Sequence, residues 1–329
     1  MILQKRNLKE MSTGDILDYS IELYRRNLKK LCVLSFIFVL PFSIIYTMAG
    51  GYIYNQFVSS TMIADPEEVL LLPYKYIAYY MLSLGIGALN LVYGILLRPV
   101  MEAAVVTAVY DDITEKQSVN IKELIKNSFR LFPRLLGNRA LSYLIVSAIS
   151  FVGLIVFYIF LFAFIFGFMA ATISTPGSEP NAFVLFALIM ILTILGIALL
   201  LVIVYFSLRF GFGVQSIIIE KKKAIDALTR SWEVTKKSFL KLMIPYLMGM
   251  ALFFFFPVIL ATGVQALSFF NMSLFTVLNT VVQLLNSVLN PYIVILMTLI
   301  FINQKIRNEG FDLEVKIDRL LENEEQTLC

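Results

Sequence analysis

Six long apolar stretches dominate the pattern of hydrophobic and polar positions along the chain. They cover residues 31–54, 75–97, 140–171, 182–208, 242–270 and 274–302. A helix needs about 20 residues to cross a hydrocarbon core, and each stretch is longer than that. Pro41, Pro257 and Pro291 lie inside three of them, where neighbouring helices can satisfy the freed carbonyl groups. The pattern predicts an all-α, polytopic membrane protein with six transmembrane helices.

Basic residues between the stretches predict the orientation of these helices. Of the 27 Lys and Arg residues, 25 lie in the N-terminal segment, in segments 111–139 and 209–241, and in the C-terminal tail. The other three connections carry no basic residue. Since cytoplasmic loops are enriched in Lys and Arg, we expect both termini in the cytoplasm. The 315–329 segment is expected to be a polar cytoplasmic tail.

The three long basic segments share a pattern of their own. They read LDYSIELYRRNLKKL at 17–31, IKNSFRLFPRLLGNRAL at 125–141 and LTRSWEVTKKSFLKL at 228–242, each with a serine followed by an apolar residue. Each precedes two spans, which predicts three repeat units at 12–110, 118–220 and 221–314 within a single membrane domain of 1–329. The alternative is independent convergence on a basic helix before a span.

Helical spacing makes these segments amphipathic, and cytoplasmic interfacial helices are predicted for all three. In the first segment, Ser12 and Asp15 are placed to form a variant capping box. Its predicted inner face contains Ile16, Ser20, Leu23, Asn27 and Leu31. In the second, Lys122, Lys126, Arg130 and Arg134 form one row. In the third, the spacing predicts one face made of Ile225, Leu228, Trp232, Thr235 and Phe239. Such helices either pack under the bundle or form a collar that binds lipids or a partner.

The amino-acid composition agrees with a membrane protein and excludes several kinds of catalytic and metal-binding site. The chain is 59% hydrophobic and 15% charged, with a mean hydropathy of +0.82. It has no histidine and only two cysteines, Cys32 and Cys329. Histidine-based catalysis, catalytic triads and His- or Cys-ligated zinc are therefore excluded, and no disulfide framework is expected. We expect no cofactor, no metal site and no nucleic-acid partner.

Two patches resemble a known family, the membrane domain of glycerophosphoryl diester phosphodiesterases, which also occurs in stand-alone bacterial membrane proteins. In the stretch 209–239 the matching residues are Arg209, Phe210, Glu220, Ala227, Leu228, Arg230, Ser231, Trp232 and Glu233. In the tail they are Arg307, Glu309, Gly310, Phe311, Asp312 and Leu313. The segment that precedes the tail motif, Ile302 to Ile306, departs from the family pattern. The resemblance implies a multi-pass protein of the bacterial plasma membrane. It does not imply hydrolysis, because the family's activity belongs to a separate domain that uses histidines.

Charged residues near the spans are the first candidate site. Arg98 and Arg209 follow spans two and four, and Glu102 lies four residues after Arg98 on the same helix face. Together with Glu220 they are either interfacial charges whose side chains reach the headgroups or buried charges that shape a central cavity.

A stripe of amides in the last span is the second candidate. Asn279, Gln283, Asn286 and Asn290 fall within an arc of about 60° on a helix. They either form interhelical hydrogen bonds or line a polar cavity, with Asn90 and Gln265 as companions.

These features favour a non-enzymatic membrane protein, a scaffold or accessory subunit that binds anionic lipids or a membrane-protein partner at its cytoplasmic face. The alternative is a transporter or channel for a small polar or amphipathic solute, with its cavity lined by the last helix.

Overall fold

The structure is a computed structural model that describes residues 9–62, 72–114, 120–174, 182–236, 238–267, 272–311 and 313. All regular structure in these ranges is helical. The twelve helices are α1 (Thr13–Arg26), α2 (Leu28–Phe38), α3 (Leu40–Met62), α4 (Leu72–Leu96), α5 (Arg98–Thr114), α6 (Ile121–Arg130), α7 (Phe132–Ser174), α8 (Ala182–Phe210), α9 (Gly213–Ile219), α10 (Ala224–Lys236), α11 (Phe239–Leu267) and α12 (Met272–Glu309).

The multi-pass membrane fold is confirmed. Five stretches, in α4–α5, α7, α8–α9, α11 and α12, are long and apolar enough to cross a membrane. A sixth span forms if α2 and α3 cross together, with a bend of 49° between them. Pro41 lies just after this bend, where its missing N–H cannot continue the hydrogen-bond pattern of α2. Five of the six predicted spans therefore agree with the structure, the first requires that α2 and α3 cross together, and the bend between them was not predicted.

The transmembrane helices form three hairpins, α3–α4, α7–α8 and α11–α12. The first hairpin links the others, since α3 packs on α12 and α4 packs on α7. Among the described residues, α8 and α11 meet at their ends next to the layer of shorter helices, where the ring centroids of Tyr205 and Phe239 lie 4.6 Å apart, and they pack little elsewhere. Large apolar side chains such as Phe166, Leu200 and Phe255 are exposed along the hairpins, as expected for surfaces that face lipid.

A compact layer of helices closes one end of the hairpins. This basic layer consists of α1, α2, α5, α6, α9, α10 and residues 292–309 of α12. At its centre, α5 and α12 pack on each other and bury Val105, Leu296 and Phe301 almost completely. α5 is separate from α4 because Pro99 occupies its first turn, where proline starts a helix well and ends the preceding one. The layer contains the main core of the protein.

The interfacial helices agree with two of the three predicted faces. The capping box of Ser12 and Asp15 starts α1, and the whole predicted inner face of that segment, from Ile16 to Leu31, is buried. In α6, Leu124 is buried and Lys122 and Lys126 are exposed, as predicted.

The prediction for the third segment was only partly right, since Thr235 is buried but Ile225 is 67% exposed. The buried face of α10 also contains Ala227, Ser231 and Val234. These are small or short side chains, and they allow α10 to pack closely on α9. The sequence prediction relied on the spacing of large apolar side chains and therefore did not identify these three residues as buried.

The order of elements along the chain is that of the proposed repeat. An interfacial helix precedes each hairpin, as α1, α6 and α10 do. The serine that each of the three basic segments shares, Ser20, Ser128 or Ser231, is buried in every case. The equivalence of the three units stays a prediction.

Candidate functional site

A cavity of about 180 Å³ lies where the hairpins meet the basic layer. Six helices, α5, α7, α8, α9, α11 and α12, contribute to its walls. Its polar lining includes Arg98, Glu102, Arg139, Gln215, Tyr246 and Asn290. Arg98 and Glu102 of the first candidate site therefore line the same cavity as Asn290 of the second.

Glu102 is the centre of a three-residue charge network. Its side chain is 11% exposed and accepts a hydrogen bond from Arg98 Nε at 2.9 Å. A second guanidinium, that of Arg139 on α7, bonds its other carboxylate oxygen. Arg98 also borders the cavity, and 45% of its side chain is exposed. The predicted helix pair thus exists, and a third residue extends it across the cavity wall.

The charge network leaves the cavity with a positive balance. Two arginines and one glutamate line it, so the formal charge of its walls is one positive unit. Gln215 is 3% exposed, and its Oε1 has no hydrogen-bond partner among the described residues. The Nε of Arg139 is likewise buried without a partner there. Most buried polar atoms are hydrogen-bonded, so these two are exceptions, as are Ser35 Oγ, Arg209 Nε and Gln304 Nε2 elsewhere in the described structure.

The amide stripe faces the bundle but does not form one continuous wall. Its four residues are partly buried, whereas Val277, Val281 and Leu285 on the other side of α12 are exposed. Asn290 lines the cavity described above.

Gln283 lies at a second, smaller cavity of about 160 Å³. Asn90, which the sequence suggested as a companion, lines the same cavity together with Ser43 and Tyr93. Gln265 is exposed on α11. The polar wall is therefore divided between two cavities at different levels of the hairpins.

Arg209 is buried at the end of α8, with 7% of the residue exposed. Its guanidinium carbon lies 4.4 Å from the ring centroid of Trp232 and 4.9 Å from that of Tyr205, whose hydroxyl accepts a hydrogen bond from Nη2 at 2.6 Å. Aromatic faces stabilise a desolvated cation in this way. Arg209 thus joins α8 to α10 and does not line the central cavity.

Ser231 completes the junction between α8 and α9. Its hydroxyl donates to the carbonyl of Arg209 at 2.6 Å and accepts from the N–H of Phe212 at 3.1 Å. These are backbone groups that the break between the two helices would otherwise leave unpaired. The family-like residues Arg209, Ser231 and Trp232 therefore act together as a structural joint.

Glu220 and Arg230 form the centre of a second joint. The Arg230 guanidinium makes three hydrogen bonds to Glu220, the shortest being 2.9 Å, and it also bonds Glu309 at the end of α12. Burial alone would lower the pKa of Arg230, but the hydrogen bonds to Glu220 and Glu309 raise it above its ordinary value. Arg230 therefore stays charged and holds α9, α10 and α12 together. Glu233 is at the rim of this joint, 3.9 Å from Arg230 and largely exposed.

The tail motif ends α12 and turns the chain back onto it. Gly310 has φ of +66°, the left-handed conformation that glycine adopts most easily at a helix end. Phe311 is then buried, 4.3 Å from the ammonium group of Lys305. Arg307 lies 3.6 Å from Glu10. Asp312 lies outside the described residues.

The departure from the family pattern also has a structural role. Asn303 donates to the carbonyl of Met11 at 3.2 Å and accepts from its N–H at 2.8 Å. This amide fixes the chain before α1 to the end of α12.

The outer surface of the basic layer carries a row of cations on α6 and the start of α7. Lys122, Lys126, Arg130 and Arg134 follow each other at intervals of one helical turn, and all four are exposed. Within the described part of the chain, none of them has an ion-pair partner. On α10, the exposed Ile225 follows three exposed lysines, Lys221 to Lys223.

Sequence reasoning missed Arg139, Gln215 and Tyr246. Arg139 was counted only among the basic loop residues, although it lies near the start of an apolar span. Gln215 was the better signal, since it is a single amide within the apolar run GFGVQSIII. Among the described residues, no group of three or more Asp, Glu or Cys side chains is placed to hold a metal ion.

Comparisons of the chain with protein-family models, with curated proteins and with solved structures found no match.

Proposed function

We propose that the protein is a non-enzymatic integral membrane protein that binds anionic lipids through its basic layer and serves as a scaffold or accessory subunit. The row of Lys122, Lys126, Arg130 and Arg134 carries this proposal. Three of these exposed cations lie on the amphipathic helix α6 and the fourth at the start of α7, and none has an ion-pair partner among the described residues. Such a row suits a surface of anionic headgroups, where each basic residue contributes about 1 kcal/mol.

The family resemblance and the distribution of basic residues support the cellular setting of the proposal. We place the protein in a bacterial plasma membrane with both termini in the cytoplasm. The basic layer would then lie at the inner leaflet, with Ile225 and its neighbouring lysines at the depth of the headgroups.

Lipid retention after purification tests the proposal. The protein is purified in mild detergent and the lipids that stay bound are identified by native mass spectrometry. We expect several anionic lipids on the wild type and few on the variant K122Q/K126Q/R130Q/R134Q. The matched control K122R/K126R/R130K/R134K keeps all four charges and should retain them. Equal retention by the two variants would refute the proposal. Co-purification of the same acidic protein in every preparation, without anionic lipid, would instead identify a protein partner.

Solute transport is a second candidate, favoured by the two cavities along α12 that amides of the stripe line. Gln283 with Asn90 lines one, and Asn290 lines the other. The variant Q283L/N286L/N290L removes three amides of the stripe. If the protein conducts a small polar solute, reconstituted wild type should release such solutes from loaded vesicles and this variant should not. Equal release by both proteins would reject this function.

A further inference from the structure

We propose that the central cavity is a specific binding site for one monoanionic phosphodiester headgroup that carries a hydroxyl group. This site is separate from the exposed row of cations. It goes beyond the proposed function because it predicts one stoichiometric, internal ligand instead of general attraction to a charged surface.

The charge of the cavity selects the charge of the ligand. Arg98 and Arg139 face it with only Glu102 to balance them, so a single negative charge makes the site neutral. A phosphodiester carries one negative charge, whereas inorganic phosphate at neutral pH carries more. Arginine also binds phosphate oxygens through several N–H groups at once.

The unpartnered polar atoms select the rest of the headgroup. Gln215 belongs to the cavity wall, and its buried Oε1, which has no partner among the described residues, can only accept a hydrogen bond. A ligand that satisfies it must bring a donor, which a hydroxyl group supplies. Arg139 Nε offers the complementary donor to an oxyanion. The two atoms together therefore require a ligand with both an anion and a donor.

The remaining lining favours an amphiphile over a free ion. Met101, Leu208 and Met297 are apolar parts of the same wall. The cavity also borders α8 and α11, which touch through Tyr205 and Phe239 next to the basic layer and pack little beyond that contact in the described structure. A headgroup held by the arginines can extend its acyl chains between these helices into the bilayer. A free phosphate would leave the apolar lining uncovered.

Binding by delipidated protein in detergent tests the proposal. The three probes are phosphatidylglycerol, which has the charge and the hydroxyl groups, phosphatidylcholine, which lacks a donor, and inorganic phosphate. We expect the wild type to bind one equivalent of phosphatidylglycerol in native mass spectrometry and to bind the other two at least tenfold more weakly. Binding of inorganic phosphate in preference to phosphatidylglycerol would overturn the assignment to a lipid.

Three cavity variants identify the site, and thermal unfolding checks that each is folded. Arg139→Gln and Gln215→Leu should each weaken phosphatidylglycerol binding roughly tenfold. Glu102→Gln raises the cavity charge to two positive units and should strengthen binding several-fold, an increase that simple structural damage would not produce. Affinities equal to the wild type in all three variants would overturn the proposal.

The test of the internal site can be separated from the test of the proposed function. The variant K122Q/K126Q/R130Q/R134Q should still bind one phosphatidylglycerol while it loses the other anionic lipids. Loss of that one equivalent in the row variant, with normal binding in the cavity variants, would assign the bound lipid to the surface and refute the internal site.

Discussion

A single hydroxyl group, that of Ser231, satisfies both backbone groups at the break between α8 and α9. It is completely buried and contacts Arg209 O and Phe212 N. Ser128 is also buried, but its hydroxyl bonds only the Leu124 carbonyl of its own helix. The two serines therefore look alike in sequence and in burial while their hydrogen bonds differ in kind.

This difference predicts different costs for the same substitution. Ser231→Ala leaves a buried N–H and a buried C=O without this partner, and each such group costs about 1–3 kcal/mol. Ser128→Ala removes a local bond within a helix and should cost less than about 1 kcal/mol. Unfolding in detergent, followed by the fluorescence of Trp232, measures both. Equal losses of stability in Ser231→Ala and Ser128→Ala would contradict the proposed role of Ser231 at the junction of α8 and α9.

Tyr24 in α1 gives a prediction for alkaline pH. Burial, and to a smaller extent the nearby Cys32, raises the pKa of this phenol from 10.0 to about 12, and its hydroxyl donates to the carbonyl of Val288 at 2.9 Å. Between pH 10 and 12 the folded protein binds the phenolic proton more tightly than the unfolded chain does. Stability should therefore fall as pH rises through this window. Tyr24→Phe should be less sensitive, and an unchanged pH slope of the melting temperature would contradict this assignment.

At the scale of elements, the short helix α9 is held mainly by its neighbours. It packs on α5 and α10, and the Glu220–Arg230 joint follows its last residue. A seven-residue helix is too short to be stable alone, so its position depends on these contacts. Since Gln215 belongs to α9, the geometry of the central cavity depends on the same joint.

A double-mutant cycle tests that dependence. Arg230→Gln leaves the buried Glu220 carboxylate without its main partner and should destabilise the protein by about 3 kcal/mol. Adding Glu220→Gln removes the uncompensated charge and should recover part of the loss. Arg307→Gln is the control, because its contact with the largely exposed Glu10 is worth at most about 1 kcal/mol. Additive losses for Glu220 and Arg230 would show that the joint does not exist.

At the scale of the whole molecule, the sequence predicted the helices far better than the site. Spans follow from long apolar runs and the face of α1 from helical periodicity, which are both local properties, and the face of α1 and five of the six spans agree with the structure. The central cavity depends on long-range packing, since Arg139 reaches Glu102 from 37 residues away. The predicted face of α10 left out Ser231 for the same reason, because Ser231 is buried by its bonds to the α8–α9 junction and not by its hydrophobicity.

The two classes of charge in the protein differ in their expected response to salt. The exposed row on α6 and α7 is open to counterions, and at about 1 M salt the Debye length falls to about 3 Å. Arg98, Glu102 and Arg139 bond each other within the protein and are screened much less. Lipid selectivity of the outer surface should therefore depend on ionic strength, and binding in the cavity should not.

The preference of the reconstituted protein for anionic lipid tests the central claim most directly. Spin-labelled phosphatidylglycerol and phosphatidylcholine are compared in vesicles that contain the wild type, K122Q/K126Q/R130Q/R134Q or K122R/K126R/R130K/R134K. We predict several-fold selectivity for phosphatidylglycerol with the wild type and the charge-conserving variant, reduced towards unity by 1 M salt or by the glutamine substitutions. Selectivity that is the same for all three proteins and unaffected by salt would contradict lipid binding through the basic layer.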